Sequence, residues 1–196
     1  MTSSSSPVVV DGVVYVGGAV VHAVYASNGT RKWTYSPDSP VPIDGFASSP
    51  TVVDGTVYVG KANGNVVALD ADTGATEWTA STGGAVISSP AVGPERVYVG
   101  SYDGSVYALN RQSGSVAWTS SAGGVYASPA LASGTVYVSG LDNRIHALDA
   151  ETGDQRWQHD TGAGVYSSPA VADGTVYVGT LNNSLVALGT DGTLEW

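Results

Sequence analysis

The sequence predicts an all-β protein of five repeated units, each about forty residues long, and three series of residues predict it. Prolines preceded by Ser-Ser or Ala-Ser recur at Pro7, Pro50, Pro90, Pro129 and Pro169. Tyrosines within Val-Tyr-Val recur at Tyr15, Tyr58, Tyr98, Tyr137 and Tyr177, and both series step by 43, 40, 39 and 40. Trp33, Trp78, Trp118, Trp157 and Trp196 step by 45, 40, 39 and 39 and account for every tryptophan in the chain.

The second unit shows how each element arises. Ser48-Ser49-Pro50 leads a β-branched run to a turn at Asp54-Gly55, and Thr56 to Gly60 follows as a second run. A turn at Ala62-Asn63-Gly64 leads to Asn65 through Asp70, and a third turn at Asp72-Thr73-Gly74 leads to the run around Trp78. Short β-branched and aromatic runs punctuated by Gly, Asn and Asp turns predict four antiparallel strands joined by hairpins. Repeated at this period, they predict a β-propeller of four-stranded antiparallel blades, and near-continuous apolar runs fit sheets covered on both faces. One domain is expected over 1–196, with repeats near 1–40, 41–82, 83–122, 123–161 and 162–196. The first unit is irregular: Tyr15 to Trp33 spans 18 positions where the next three units span 20. The fifth unit stops at Trp196 within its last strand, which predicts an incomplete, open propeller whose uncovered surfaces favour self-association.

Composition narrows the function classes. A formal net charge of −10 argues against nucleic acid and anionic membranes as partners, because both select a Lys/Arg surplus. No apolar stretch reaches the roughly 20 residues that span a bilayer, and the first residues lack a signal-peptide layout, so no direct membrane insertion is expected. Cysteine is absent, which removes disulfides, thiolate metal sites and a cysteine nucleophile. Acids dominated by Asp, with only two lysines, give a composition resembling halophilic proteins.

Val57-Tyr58-Val59-Gly60, then Ala68-Leu69-Asp70-Ala71-Asp72-Thr73-Gly74 and Trp78, resembles the repeat of pyrroloquinoline-quinone-like propellers, and the string recurs from Val136 to Trp157. The resemblance covers essentially the whole chain. It implies tryptophan docking, in which an Ala, a Thr-Gly turn and a Trp lock adjacent blades: Ala68, Thr73, Gly74 and Trp78; Ala108, Ser113, Gly114 and Trp118; Ala147, Thr152, Gly153 and Trp157. It also implies a ring of about seven or eight blades. Enzymes of this family carry adjacent cysteines beside the quinone and a calcium held by acidic and amide side chains. Without cysteine or a matching acidic cluster, the chain is similar to the non-catalytic branch, which includes the propeller lipoprotein assisting outer-membrane protein assembly. That resemblance implies a cell-envelope location if the chain is a fragment.

Other motifs weaken on inspection. Gly55 to Lys61 has P-loop spacing, but Ala62 replaces the magnesium-binding hydroxyl and no helix follows. Asp70-Ala71-Asp72 resembles a calcium loop, yet Ala75 stands where glycine is needed. His22 and His146 occupy equivalent strand positions and read as packing or surface residues. Asn28-Gly29-Thr30 and Asn182-Asn183-Ser184 fit a glycosylation pattern relevant only to an exported chain. The Ser-Ser-Pro segments are too regular to be nucleophiles and are expected to bond backbone at strand starts.

Alternation assigns the turns to two rims. Asp-Gly and Thr-Gly turns share one that is nearly uniform among repeats. The turns at Asn63, Asp103, Asn143 and Asn183 share the other with the segments before Ser-Ser-Pro, and these vary. Tyr102, Asp103, Tyr126, Asp142, Asn143 and Tyr166 are the candidate contact residues, because tyrosine anchors on a rigid frame are typical of binding surfaces. Space-filling by Tyr126 and Tyr166, or drift on a silent surface, is the alternative. No cofactor is expected. Two functions follow: a non-catalytic scaffold for a protein partner, or a fragment of a quinone-dependent dehydrogenase whose cofactor residues lie in other blades.

Overall fold

A computed structural model describes residues 5–36 and 47–196, and these form five antiparallel sheets with no helix among them. Blade 1 holds β1 (Val8–Val10), β2 (Val13–Gly17), β3 (Val21–Tyr25) and β4 (Arg31–Tyr35). Blade 2 holds β5 (Thr51–Val53), β6 (Thr56–Gly60), β7 (Asn65–Asp70) and β8 (Thr76–Ser81). Blade 3 holds β9 (Ala91–Val92), β10 (Arg96–Gly100), β11 (Ser105–Asn110) and β12 (Val116–Ser121). Blade 4 holds β13 (Ala130–Ala132), β14 (Thr135–Ser139), β15 (Arg144–Asp149) and β16 (Gln155–Asp160). Blade 5 holds β17 (Ala170–Ala172), β18 (Thr175–Gly179) and β19 (Leu185–Gly189). Strands pair in chain order within each sheet, and β1, β5, β9, β13 and β17 touch in series along an inner hub.

The two irregular units that the sequence marks have local causes. Blade 5 has three strands, and its fourth segment pairs with β19 through a bridge between Leu188 and Leu194 and through backbone bonds from Ala187 N–H to Trp196 O at 3.0 Å and from Glu195 N–H to Ala187 O at 2.9 Å. The two positions missing from the first unit come out of the β2–β3 turn, where Gly17 to Val21 replaces the longer stretch from Gly60 to Val66 in blade 2. The first hairpin of blades 1, 2, 4 and 5 turns on two successive positive-φ residues: Asp11-Gly12, Asp54-Gly55, Ser133-Gly134 and Asp173-Gly174. Such turns match the right-handed strand twist.

The core is four apolar layers, one between each pair of neighbouring blades. Along β6, Val57 and Val59 face blade 1 while Tyr58 faces blade 3, so alternation feeds two different layers. A bulge recurs between the third and fourth strands, after Ala23, Ala68, Ala108 and Ala147. In each case the alanine pairs with the blade's tryptophan, and the bulge re-aims the outer strand at that point.

The indoles cross to the following blade. Trp33 Nε1 donates to Ala71 O at 2.9 Å, Trp78 to Arg111 O at 2.9 Å, Trp118 to Ala150 O at 3.2 Å and Trp157 to Thr190 O at 2.8 Å. Each ring lies on the turn glycine next door, where a Cβ would come within 2.6–2.8 Å: Gly74 under Trp33, Gly114 under Trp78, Gly153 under Trp118, Gly192 under Trp157. Docking therefore runs from one repeat to the next. Thr73 and Thr152 brace their own turns: the Thr73 hydroxyl donates to Asp70 at 2.6 Å, and that of Thr152 to Asp154 at 2.8 Å.

Serines fasten the hub. Ser48, Ser88 and Ser167 accept from the backbone N–H of Gly60, Gly100 and Gly179 at 2.7–2.9 Å. The next serine links blades: the N–H groups of Ser6, Ser49, Ser89 and Ser128 donate to the hydroxyls of Ser49, Ser89, Ser128 and Ser168 at 2.8–3.2 Å. In blade 4, Ala127 replaces the first serine and Ser139 replaces the glycine opposite.

Candidate binding rim

The segment joining one blade to the next is pinned between two turns. In the passage from blade 2 to blade 3, Val86 N–H donates to Lys61 O and Tyr102 N–H to Ala85 O, both at 3.0 Å. From blade 3 to blade 4, Val125 N–H donates to Ser101 O at 3.2 Å and Leu141 N–H to Gly124 O at 2.9 Å. Leu181 N–H donates to Gly164 O at 2.8 Å in the next passage. These bonds bring the turns between second and third strands and the segments before Ser-Ser-Pro onto one rim. On the other, Ala71 and Ala150 N–H bond Gly55 and Gly134 O, joining the Thr-Gly and Asp-Gly turns.

On the first rim, three tyrosines stack in a ladder. The Tyr102 ring, from the β10–β11 turn, meets Tyr126 edge-on with centroids 4.1 Å apart, and Tyr126 meets Tyr166 edge-on at 5.6 Å. The Tyr126–Tyr166 pair has the spacing and edge-on tilt that suit the ring quadrupoles. Tyr166 is 52% and Tyr102 40% exposed, while Tyr126 between them is half-buried. Burial, a hydrogen bond to Tyr126 and the neighbouring phenols push the Tyr102 hydroxyl up to about 12. It remains a protonated donor at neutral pH.

The other three candidates act on the backbone. Asp103 accepts from Ser105 N–H at 2.9 Å, from Gly83 N–H at 2.8 Å and from Tyr107 hydroxyl at 2.6 Å. Burial opposes ionisation of Asp103, but these bonds outweigh it and hold the carboxyl below its ordinary value. Asp142 accepts from Arg144 N–H at 3.2 Å and lies 3.1 Å from His146 Nε2. Asn143, with φ +66°, stands at the glycine position of the turn, and its carbonyl accepts from Thr161 N–H at 3.0 Å. Asp103 thus corresponds to Asp142, not to Asn143, so the turn residues grouped by sequence come from two successive positions.

Sequence reading passed over Leu141 and Leu181, which occupy the Tyr102 position in blades 4 and 5 and are 37% and 62% exposed. Aligning that position, Ala62, Tyr102, Leu141 and Leu181, is the signal that finds them. His146, one of the two histidines read as packing or surface residues, is buried beneath Asp142. Phe46, the counterpart of Val86 in the second repeat, lies outside the described residues. A shallow depression of about 290 Å³ sits on the opposite rim between Arg96, Tyr98 and Glu151. Among the described residues no group of three or more His, Asp or Glu side chains converges to hold a metal ion. The chain carries no cysteine.

The sequence model of one family, described as outer membrane protein assembly factor BamB, matches residues 17–128 and again 103–196. The fold is similar to BamB from Moraxella catarrhalis, with TM-score 0.84 and 23% identity over 100% of this chain and 61% of that one. It is also similar to quinohemoprotein alcohol dehydrogenase from Comamonas testosteroni, with TM-score 0.79 and 22% identity over 98% of this chain and 42% of that one. In sequence, an 86-residue stretch is 40% identical to the 1-butanol dehydrogenase (cytochrome c) of Thauera butanivorans, covering 40% of this chain and 12% of the enzyme. The chain therefore spans less than two thirds of each of these relatives.

Proposed function

The chain belongs to the pyrroloquinoline-quinone-like propeller family described as outer membrane protein assembly factor BamB, and from that premise we propose that it is a non-catalytic scaffold presenting its variable rim to a protein partner. The observation that carries this reading is the Tyr102, Tyr126 and Tyr166 ladder, half-exposed on a frame that hydrogen bonds hold from both sides. Tyrosines held this way bring large apolar area and a hydroxyl at little entropic cost, the chemistry of binding hot spots. Leu141 and Leu181 extend the apolar surface.

The test is a pull-down followed by affinity measurement on alanine variants. Tyr166→Ala is expected to weaken binding by about 1–2 kcal/mol or more with the melting temperature nearly unchanged. Tyr126→Ala removes the middle ring and is expected to cost both binding and some stability. Unchanged affinity in both, or losses explained wholly by unfolding, would move the site elsewhere.

The sequence identity to an alcohol-oxidising enzyme supports a second reading, a segment of a quinone-dependent dehydrogenase. Adding calcium and pyrroloquinoline quinone to a protein that carries further blades beside these five separates the two. A scaffold gives no change in quinone absorbance and no dye reduction; a dehydrogenase whose cofactor residues lie in the other blades changes the absorbance and reduces the dye.

A further inference from the structure

The residues whose carbonyls accept the indole N–H groups, Ala71, Arg111, Ala150 and Thr190, stand at equivalent places on the uniform rim. In blade 3 this residue is an arginine, and its side chain runs back across the junction into blade 2. Arg111 Nε donates to the Tyr58 hydroxyl at 3.2 Å, Nη2 to Asp54 at 2.7 Å and to Val53 O at 3.4 Å, and Nη1 to Pro94 O at 3.4 Å. Its side chain is only 17% exposed. One junction thus shows how this fold seats a guanidinium: a tyrosine hydroxyl, a carboxylate at the edge and backbone carbonyls of two hairpin turns.

The next junction repeats the frame without the arginine. Ala150 takes the place of Arg111, and the depression of about 290 Å³ opens between blades 3 and 4, bordered by Glu95, Arg96, Tyr98 and Glu151. Tyr98 corresponds to Tyr58, and its hydroxyl donates to Ala150 O at 2.9 Å, which leaves its oxygen free to accept. Pro94 stands where Asp54 does, so the edge carboxylate of the filled seat is missing at that position. Glu95 supplies one instead: it replaces the glycine that follows Asp11, Asp54, Ser133 and Asp173 in the other blades. Glu151 brings a second carboxylate from blade 4, and both are exposed. Asp149 and Arg156 pair with each other at 2.8 Å, so Glu95, Glu151 and Arg96 leave the depression with a net negative charge.

We propose that this depression seats an arginine side chain of a protein partner, whose guanidinium bonds the Tyr98 hydroxyl and the carboxylates of Glu95 and Glu151 as Arg111 bonds Tyr58 and Asp54. A planar fork of donors serves a hydroxyl and carboxylates together, which a compact ammonium does not. The source is a chain residue because Arg111 fills the equivalent seat from a backbone passing over the rim. This contact lies on the rim opposite the tyrosines and stands independently of the reading given to them.

Titration of the isotope-labelled 196-residue chain with N-acetyl-arginine amide, followed by amide chemical shifts in about 0.1 M salt, tests this. Saturable shifts at Glu95, Tyr98 and Glu151 are expected with a Kd of about 1–30 mM, and N-acetyl-lysine amide is expected to bind at least about threefold more weakly. Ala150→Arg fills the seat from within and is expected to abolish the shifts. Should Ala150→Arg fold poorly, Glu151→Lys at an exposed position is expected to weaken binding at least about threefold. Arg96→Gln, which removes the one cation, is expected to tighten it. Free L-arginine is expected to bind no more tightly than the blocked form; tighter binding would make this a small-molecule site and overturn the partner source. The proposal is also overturned by an absence of saturable shifts up to about 100 mM probe. A lysine probe that binds as tightly, binding retained in a folded Ala150→Arg or Glu151→Lys variant, or weaker binding in Arg96→Gln overturns it equally.

Discussion

Trp78 of blade 2 lies across Gly114 of blade 3, so close that a Cβ on the glycine would stand 2.6 Å from the ring, and its N–H reaches Arg111 O at 2.9 Å. Gly114 also holds φ +71°, a conformation that penalises any Cβ. Gly114→Ala therefore meets strain and overpacking together, and a loss of about 2–4 kcal/mol is expected in urea unfolding. Gly174→Ala is the control: its φ is +81° but nothing lies within 4 Å, so about 1 kcal/mol is expected. Equal losses would mean that the indole seat adds nothing to backbone strain.

Ser139 tests the hub. Its buried hydroxyl has no hydrogen-bond partner among the described residues, and it faces a hub position filled by Ala127 instead of serine. Ser139→Ala is expected to leave stability unchanged or raise it by up to about 1 kcal/mol. Ser88→Ala, which leaves the buried Gly100 N–H without its acceptor, is expected to cost about 1–3 kcal/mol. Thermal melts of the two variants check the contrast.

Acid should loosen the fourth blade's outer turn. Hydrogen bonds from Arg156 and from Thr152 and Glu151 N–H hold the Asp149 carboxyl down at about 2. A carboxyl depressed in the folded state stabilises it above the unfolded value near 4, and that contribution is lost as pH falls toward 2. Blade 3 makes the same turn with Asn110, whose side chain accepts from Gln112 and Ser113 N–H. Asp149→Asn should therefore keep the turn and be less stable at neutral pH, the gap closing between about pH 4 and 2. A gap constant across that window would show that the charge of Asp149 does not contribute.

Salt should stabilise the chain. Seventeen acids against seven bases repel one another, and the Debye length shrinks from about 10 Å at 0.1 M to about 3 Å at 1 M. Melting temperature is expected to rise with potassium chloride over that range. A flat or falling curve would remove the basis for the halophilic reading of the composition.

The blades, their turns and both rims were legible because each rests on local chemistry repeated five times. What the linear order hides is the offset between neighbours. Ala68, Thr73, Gly74 and Trp78 sit in one repeat, yet Gly74 seats Trp33 and Trp78 seats on Gly114. The tyrosine ladder has the same character. Tyr102 comes from a turn within blade 3 and Tyr126 from the passage into blade 4, and only the fold shows that their rings touch. Asp103 reads equally well as a contact or a cap until Gly83 N–H and the Tyr107 hydroxyl are seen to occupy it.

The forward reach of each indole gives the arc a direction. Loosening a blade unseats the tryptophan of the blade before it, whereas its own indole stays supported for as long as the following blade holds. Opening of any one blade thus spreads to the blade before it, one nearest-neighbour step at a time. Amide exchange should therefore couple each Thr-Gly turn to the tryptophan strand of the preceding blade, so that the molecule unzips in one sense rather than melting evenly.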